Sequence, residues 1–156
     1  MGCYLLRLDL PQAVQIAVGK AGVRQFLPGS YLYVGSAFGP GGVRARLDHH
    51  LRHSERPHWH IDYLRHYAAI DEIWYSESEQ RLEHRWARAV SRMSASQPVS
   101  PGLGASDCGC PTHLFYFSTA PTLAGFKRNL RLVSTEELGE GIDYLLQRTI
   151  IQDCQP

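Results

Sequence analysis

Polar and apolar positions alternate at the start of the chain. Tyr4, Leu6 and Leu8 share one side while Arg7 and Asp9 punctuate the other, which predicts a half-buried strand over residues 3–9, ended by Pro11. A second short apolar run, 13–18, is closed by Gly19-Lys20-Ala21-Gly22. A third, 23–27, precedes the Pro28-Gly29 turn, and a fourth covers 30–35. Short β-rich runs separated by Gly and Pro predict an antiparallel meander.

The texture changes after Gly35. Residues 38–42 read as a loop, and 43–53 as a helix through the spacing of Val43, Leu47 and Leu51. A second helix is predicted over 60–67 and a strand over 70–75. Ser76-Glu77-Ser78-Glu79 has the form of a capping box, opening a helix that runs to about Met93. On that helix Leu82, Trp86, Ala89 and Met93 form the core stripe. Arg81, Arg85, Arg88 and Arg92 make a row on one flank, read as a solvated face with a nucleic-acid backbone track as its alternative; Glu83 lies on the other flank beside Val90. Residues 94–112, rich in Ser, Pro, Gly and Cys, read as a long loop, 113–118 as a strand, and Ser134-Thr135-Glu136-Glu137 as the start of a final helix through Leu145 and Leu146. The expected class is therefore α/β of the α+β type, a small central antiparallel sheet flanked by helices in a single domain spanning 1–156.

Composition agrees with one globular domain: 156 residues, 44% hydrophobic and 20% charged. No apolar run approaches the roughly 20 residues of a membrane span. The segment MGCYLLRLDL lacks a basic leader and a cleavage pattern, and Leu6 stands where a myristoylation motif wants Ser or Thr. A cytoplasmic protein with no membrane partner is expected, its four cysteines reduced. Cys108-Gly-Cys110 is a poor zinc hook, so with His113 nearby it reads as a tight, partly buried loop ahead of a structural zinc site. A net charge of +1 argues against avid nucleic-acid backbone binding. The distribution is more telling: five arginines fall between Arg44 and Arg65, and six of the eight histidines (His49, His50, His53, His58, His60, His66) lie in the same stretch.

Three pieces stand out: Gly2-Cys3-Tyr4 on the first strand, Tyr33-Val34-Gly35 on a later one, and Arg46 with His50 on the next helix. Together they resemble the signature of the GIY-YIG nucleases. His58-Trp59-His60-Ile61-Asp62-Tyr63-Leu64 and Ser106-Asp107-Cys108-Gly109-Cys110 extend the likeness to a small stand-alone branch of that family over nearly the whole chain. Cys3 replaces the family's Ile, and the loop between Gly35 and Arg46 carries extra Gly and Pro. Arg46 and His50 are i and i+4 neighbours at the edge of the buried helix face, whereas Arg44 and Arg52 point elsewhere.

The resemblance implies an endonuclease that hydrolyses DNA phosphodiesters with one Mg²⁺ or Mn²⁺ ion, with DNA repair as its setting. Arg46 would clamp phosphate through its forked guanidinium. Tyr4, supported by Tyr33, would be the general base or orient the water, with His50 as the alternative proton acceptor. Glu83 would bind the metal, with Glu79 as fallback. His60, or His58, would contact phosphate or the leaving group, and Ser36 and Asp107 would touch substrate. Two other function classes are a non-catalytic nucleic-acid-binding module on the same fold, and a zinc-dependent interaction domain built on Cys108, Cys110 and His113.

Overall fold

The structure, a computed structural model, describes residues 1–52, 57, 59–99, 110–139 and 147–150. His53, His58, Ser106, Asp107, Cys108, Leu145 and Leu146 lie outside the described residues.

Strand β1 (Gly2–Leu10) is the centre of the fold. Strands β2 (Val14–Ala17) and β3 (Val23–Phe26) form a separate hairpin, and β4 (Gly29–Ser36) returns to pair with β1. Helices α1 (Gly42–Leu51) and α2 (His60–Arg65) precede β5 (Ala69–Glu77), which takes the other edge of β1. Then come α3 (Glu83–Ser91), β6 (Gln97–Pro98), β7 (Leu114–Phe117), α4 (Leu123–Leu138) and β8 (Gln147–Ile150). The fold is α+β: a six-stranded antiparallel sheet in the order β6-β7-β4-β1-β5-β8, with helices on both faces. Among the described residues no helix is long and apolar enough to cross a membrane.

Because β1 is covered on both sides, its alternation separates two cores rather than core from solvent. Tyr4, Leu6 and Leu8 face Val43, Ile61, Leu64 and the β2–β3 hairpin, while Cys3 and Leu5 face Trp86, Val90, Phe126 and Leu130. The half-buried reading of this strand is thus corrected.

The expected capping box is corrected too. Ser76 and Glu77 pair as strand with Cys3 and Gly2, and α3 starts only at Glu83. Extending β5 along β1 satisfies more backbone groups than a helix turn there would. The stripe of Leu82, Trp86, Ala89 and Met93 is buried as expected. The final helix, by contrast, begins earlier than expected: Thr122 Oγ1 accepts the Gly125 N–H at 3.1 Å, and Phe126, Leu130 and Val133 form its apolar stripe. It ends at Gly139, whose N–H bonds Thr135 O at 2.9 Å, so Ser134 is a buried mid-helix residue. The arginine row on α3 meets this helix. Arg85 pairs with Glu137 at 2.6 Å, Arg88 with Glu136 and Glu137 at 3.3 and 3.0 Å, and Arg92 with Glu136 at 2.5 Å. Arg85, Arg88 and Arg92 thus carry ion pairs along the α3–α4 seam while Arg88 and Arg92 stay exposed, so this flank is a solvated face as expected, its charges paired to Glu136 and Glu137.

Candidate active site

Pairing β1 with β4 sets Tyr4 opposite Gly35. The Tyr4 ring lies directly over that glycine: a Cβ on residue 35 would come within 2.2 Å of the ring carbon bearing the hydroxyl. The glycine of the second tripeptide is therefore the space that the tyrosine of the first occupies. Tyr33 stands beside it, ring centroids 6.4 Å apart.

Helix α1 supplies the partner. Its inner edge carries Val43, Leu47 and His50, and His50 is 1% exposed. The Tyr4 hydroxyl and His50 Nε2 are 2.7 Å apart. Burial, then the neighbouring Tyr33, pushes the Tyr4 phenol well above its usual range, against the pull of Arg46. Burial lowers His50 to about 4, outweighing the attraction of Asp62. At neutral pH Tyr4 is thus a phenol and His50 a neutral imidazole; in the tautomer with its proton on Nδ1, Nε2 accepts from the Tyr4 hydroxyl. Nδ1 makes no hydrogen bond and faces Asp62 Oδ1 at 3.8 Å. Asp62 is held in place by the Trp59 backbone N–H (2.9 Å) and lies 3.4 Å from His49 Nε2. The order is hydroxyl, imidazole, carboxylate.

Arg46, one turn before His50, lies 4.8 Å above the Trp59 ring. Its guanidinium comes so close to Gly39 that a Cβ there would be 2.7 Å from Nη2, and its Nε is buried without a hydrogen bond. Arg44 is exposed, which leaves Arg46 as the helix arginine of this site. Trp59 also packs edge-on against His49 at 4.5 Å, so it forms the floor of the site.

Glu83 is the first residue of α3 and its side chain is 15% exposed. It sits on the opposite face of the sheet from Tyr4, beside Cys3, His84 and His113. Among the described residues no hydrogen bond or ion pair joins it to Tyr4, Arg46 or His50. It nevertheless shares their end of the sheet. Arg81, two residues earlier, covers the Phe38 ring at 4.9 Å, and Phe38 adjoins the Gly39 that contacts Arg46. One part-buried carboxylate is the donor set required by a Mg²⁺ ion that keeps most of its waters, so Glu83 fits such an ion. Glu79 is exposed and precedes the helix.

The remaining expected residues are dispersed. Ser36 is the half-buried last residue of β4, and His60 is the half-buried first residue of α2, next to Trp59. Asp62, His49 and Trp59 are members of the site to which the sequence reading gave no part in the chemistry. The place of Asp62 in the N-terminal turn of a short helix was legible in the sequence; its approach to His49 and His50 was not.

The family described as a domain of unknown function, DUF123, matches residues 3–134. The chain belongs to the DUF123 family. That match takes in Tyr4, Tyr33, Arg46, His50, Asp62 and Glu83 together. No curated protein and no solved structure matches the chain.

In this DUF123 domain the buried histidine makes stability depend on pH. An unfolded histidine takes up a proton near pH 6.5, whereas His50 in the fold does so only near 4. Between those values the unfolded chain binds more protons, so stability falls as pH is lowered through that window. The loss attributable to His50 should be about 3 kcal/mol at most. Denaturant unfolding at pH 7, 5.5 and 4.5 measures it, and His50→Gln should flatten the profile. An unchanged profile in that variant would show that His50 is not the group responsible.

Proposed function

We propose that this DUF123 domain is a metal-dependent endonuclease of the GIY-YIG type, hydrolysing phosphodiester bonds in DNA. The observation that carries the reading is the buried 2.7 Å contact between Tyr4 and His50, beside an arginine whose guanidinium is not spent on an ion pair among the described residues.

Arg46 binds the non-bridging oxygens of the scissile phosphate in fork geometry, the match for which guanidinium surpasses ammonium. Tyr4 holds the attacking water by an acceptor lone pair. As the water attacks phosphorus, Tyr4 takes its proton and hands its own to His50 Nε2, so the phenolate, disfavoured by burial, never accumulates. Asp62, 3.8 Å from Nδ1, favours the transient imidazolium against the burial that disfavours it. This assigns the proton to His50 and its relay to Tyr4. A Mg²⁺ or Mn²⁺ ion held by Glu83 would stabilise charge on the phosphate and the leaving oxygen. The net charge of +1 makes binding weak and sensitive to salt.

The test is cleavage of duplex, flapped, branched and single-stranded DNA with Mg²⁺ or Mn²⁺, with and without chelator. The parent should cut at least one substrate, chelation should stop it, and Arg46→Ala should slow it about 100-fold. Absence of cutting throughout, with binding indifferent to Arg46, would replace the nuclease with a binding module.

A further inference from the structure

Six of the eight histidines crowd residues 49–66; the other two, His84 and His113, are 29 residues apart yet meet at one place. His84 is the second residue of α3, and His113 immediately precedes β7. Their rings stand edge to face, centroids 6.0 Å apart. Cys110 joins them, with Sγ 3.0 Å from His84 Nδ1. The three donor atoms, one from each residue, all lie within 4.8 Å of one another.

We propose that His84, Cys110 and His113 form a binding site for a single thiophilic transition-metal ion, Zn²⁺ being the ion this donor set favours. First, tetrahedral zinc with one thiolate and two imidazoles holds neighbouring donors about 3.5 Å apart, and the donors here, 3.0 Å apart for His84 Nδ1 and Cys110 Sγ and all within 4.8 Å, bracket that spacing. Second, Cys110-Pro111-Thr112-His113 places two donors at a spacing of three on one tight turn. That turn is fixed by the Val34 N–H on His113 O (2.9 Å) and by Thr112 Oγ1, which accepts the Leu114 N–H (3.1 Å). Third, the other nitrogen of His84, Nε2, lies 3.4 Å from Glu83 Oε1. That places a carboxylate beside the distal nitrogen, where a metal-bound histidine commonly finds the acceptor that fixes its tautomer and strengthens it as a ligand. Fourth, Cys110 is partly exposed, so an ion has a route in, while His113 is buried and anchors the site to the sheet.

The fourth coordination position is left for water or a further donor. Nitrogen and sulfur ligands set this site apart from the carboxylate that Glu83 offers a hard ion, and the proposal stands whether or not the domain cuts DNA. Of the expected Cys108–Cys110–His113 grouping, Cys108 lies outside the described residues, and the described cluster adds His84, a helix residue 26 positions before Cys110.

The experiment uses the full chain, purified without a metal-affinity tag and with Cys108 intact. Elemental analysis should find about one zinc per chain. After stripping, Co²⁺ should give a thiolate-to-cobalt charge-transfer band, which binding by the histidine-rich stretch 49–66 cannot produce. Cys110→Ser should abolish the band, and His84→Ala, at a half-exposed position, should weaken Co²⁺ binding at least tenfold while leaving the circular dichroism unchanged. Glu83→Gln should weaken it less. A stripped parent that gives no band at saturating Co²⁺, or variants that titrate like the parent, would overturn the site.

Discussion

Tyr4→Phe is expected to lower the single-turnover rate of DNA cleavage about 1,000-fold, within the range assigned to a positioned proton-transfer group. The substitution removes little else. Phe keeps the ring over Gly35 and beside Tyr33, and only the hydroxyl bonded to His50 is lost. His50→Gln should cost a similar factor, because it removes the acceptor of the same proton. If hydroxyl and imidazole act as one relay, the double variant should be no more than a few-fold slower than the worse single one. Losses that multiply would mean that the two side chains serve separate steps. A Tyr4→Phe protein that cuts at the parental rate would end the assignment of Tyr4. The variant also retains the binding surface, so affinity for uncut DNA should be unchanged while the rate falls.

The second large effect is on stability and arises where two acidic side chains meet one arginine. The register of β5 against β1 slips between Arg7 and Leu8, and this bulge leaves Asp71 and Glu72 both in reach of Arg7. Arg7 Nε and Nη2 hold the Asp71 carboxylate at 2.9 and 3.1 Å, while Nη1 lies 2.6 Å from Glu72 Oε2 and donates to Pro121 O at 3.1 Å. Glu72 is 1% exposed and also accepts from Trp74 Nε1 at 2.8 Å and from Arg148. Burial alone would raise its carboxyl; the hydrogen bonds from Trp74 and Arg148 and the charge of Arg7 outweigh burial and lower it. Arg7→Met strips the inner charge and leaves a buried carboxylate undercompensated, so a loss of about 3 kcal/mol is expected. For a chain of this size that corresponds to a fall in Tm of roughly 10 °C. Arg7→Met with Glu72→Met should recover most of it, since a matched apolar pair removes the stranded charge. A single variant that melts like the parent would show that the network contributes nothing net.

Strands were legible where Gly and Pro punctuated them, and β1, β4, β5 and β7 fall where alternation and turn chemistry put them. The stripe on α3 was equally legible, because burial at helical spacing needs no knowledge of the partner. What failed were helix starts at Ser76 and Ser134. Both segments carry the Ser-x-x-Glu pattern of a capping box, but a cap is a local preference worth about 1 kcal/mol. At Ser76 pairing with Cys3 outweighs it, and at Ser134 an apolar stripe already begun at Phe126 does so. Arg7 illustrates the same limit: its polar place in an alternating strand read as a solvent-facing position, yet the acidic pair of the bulged β5 and the Pro121 carbonyl ahead of α4 enclose it.

By itself the sequence determined the class of the fold, the two tyrosine strands, and the helix edge that presents Arg46 with His50. Each of these depends on a few neighbouring residues whose spacing fixes which way they point. Only the tertiary structure decided what those residues meet. Backbone N–H and C=O groups are the same at every position, so strand partners are chosen by packing across the whole chain. That choice lays Tyr4 over Gly35, brings its hydroxyl to an imidazole 46 residues away, and sets Asp62 behind it. The same choice carries Glu83 to the far face of the sheet and draws His84 to Cys110 and His113. Side chains separated by tens of residues meet only when the sheet between them closes.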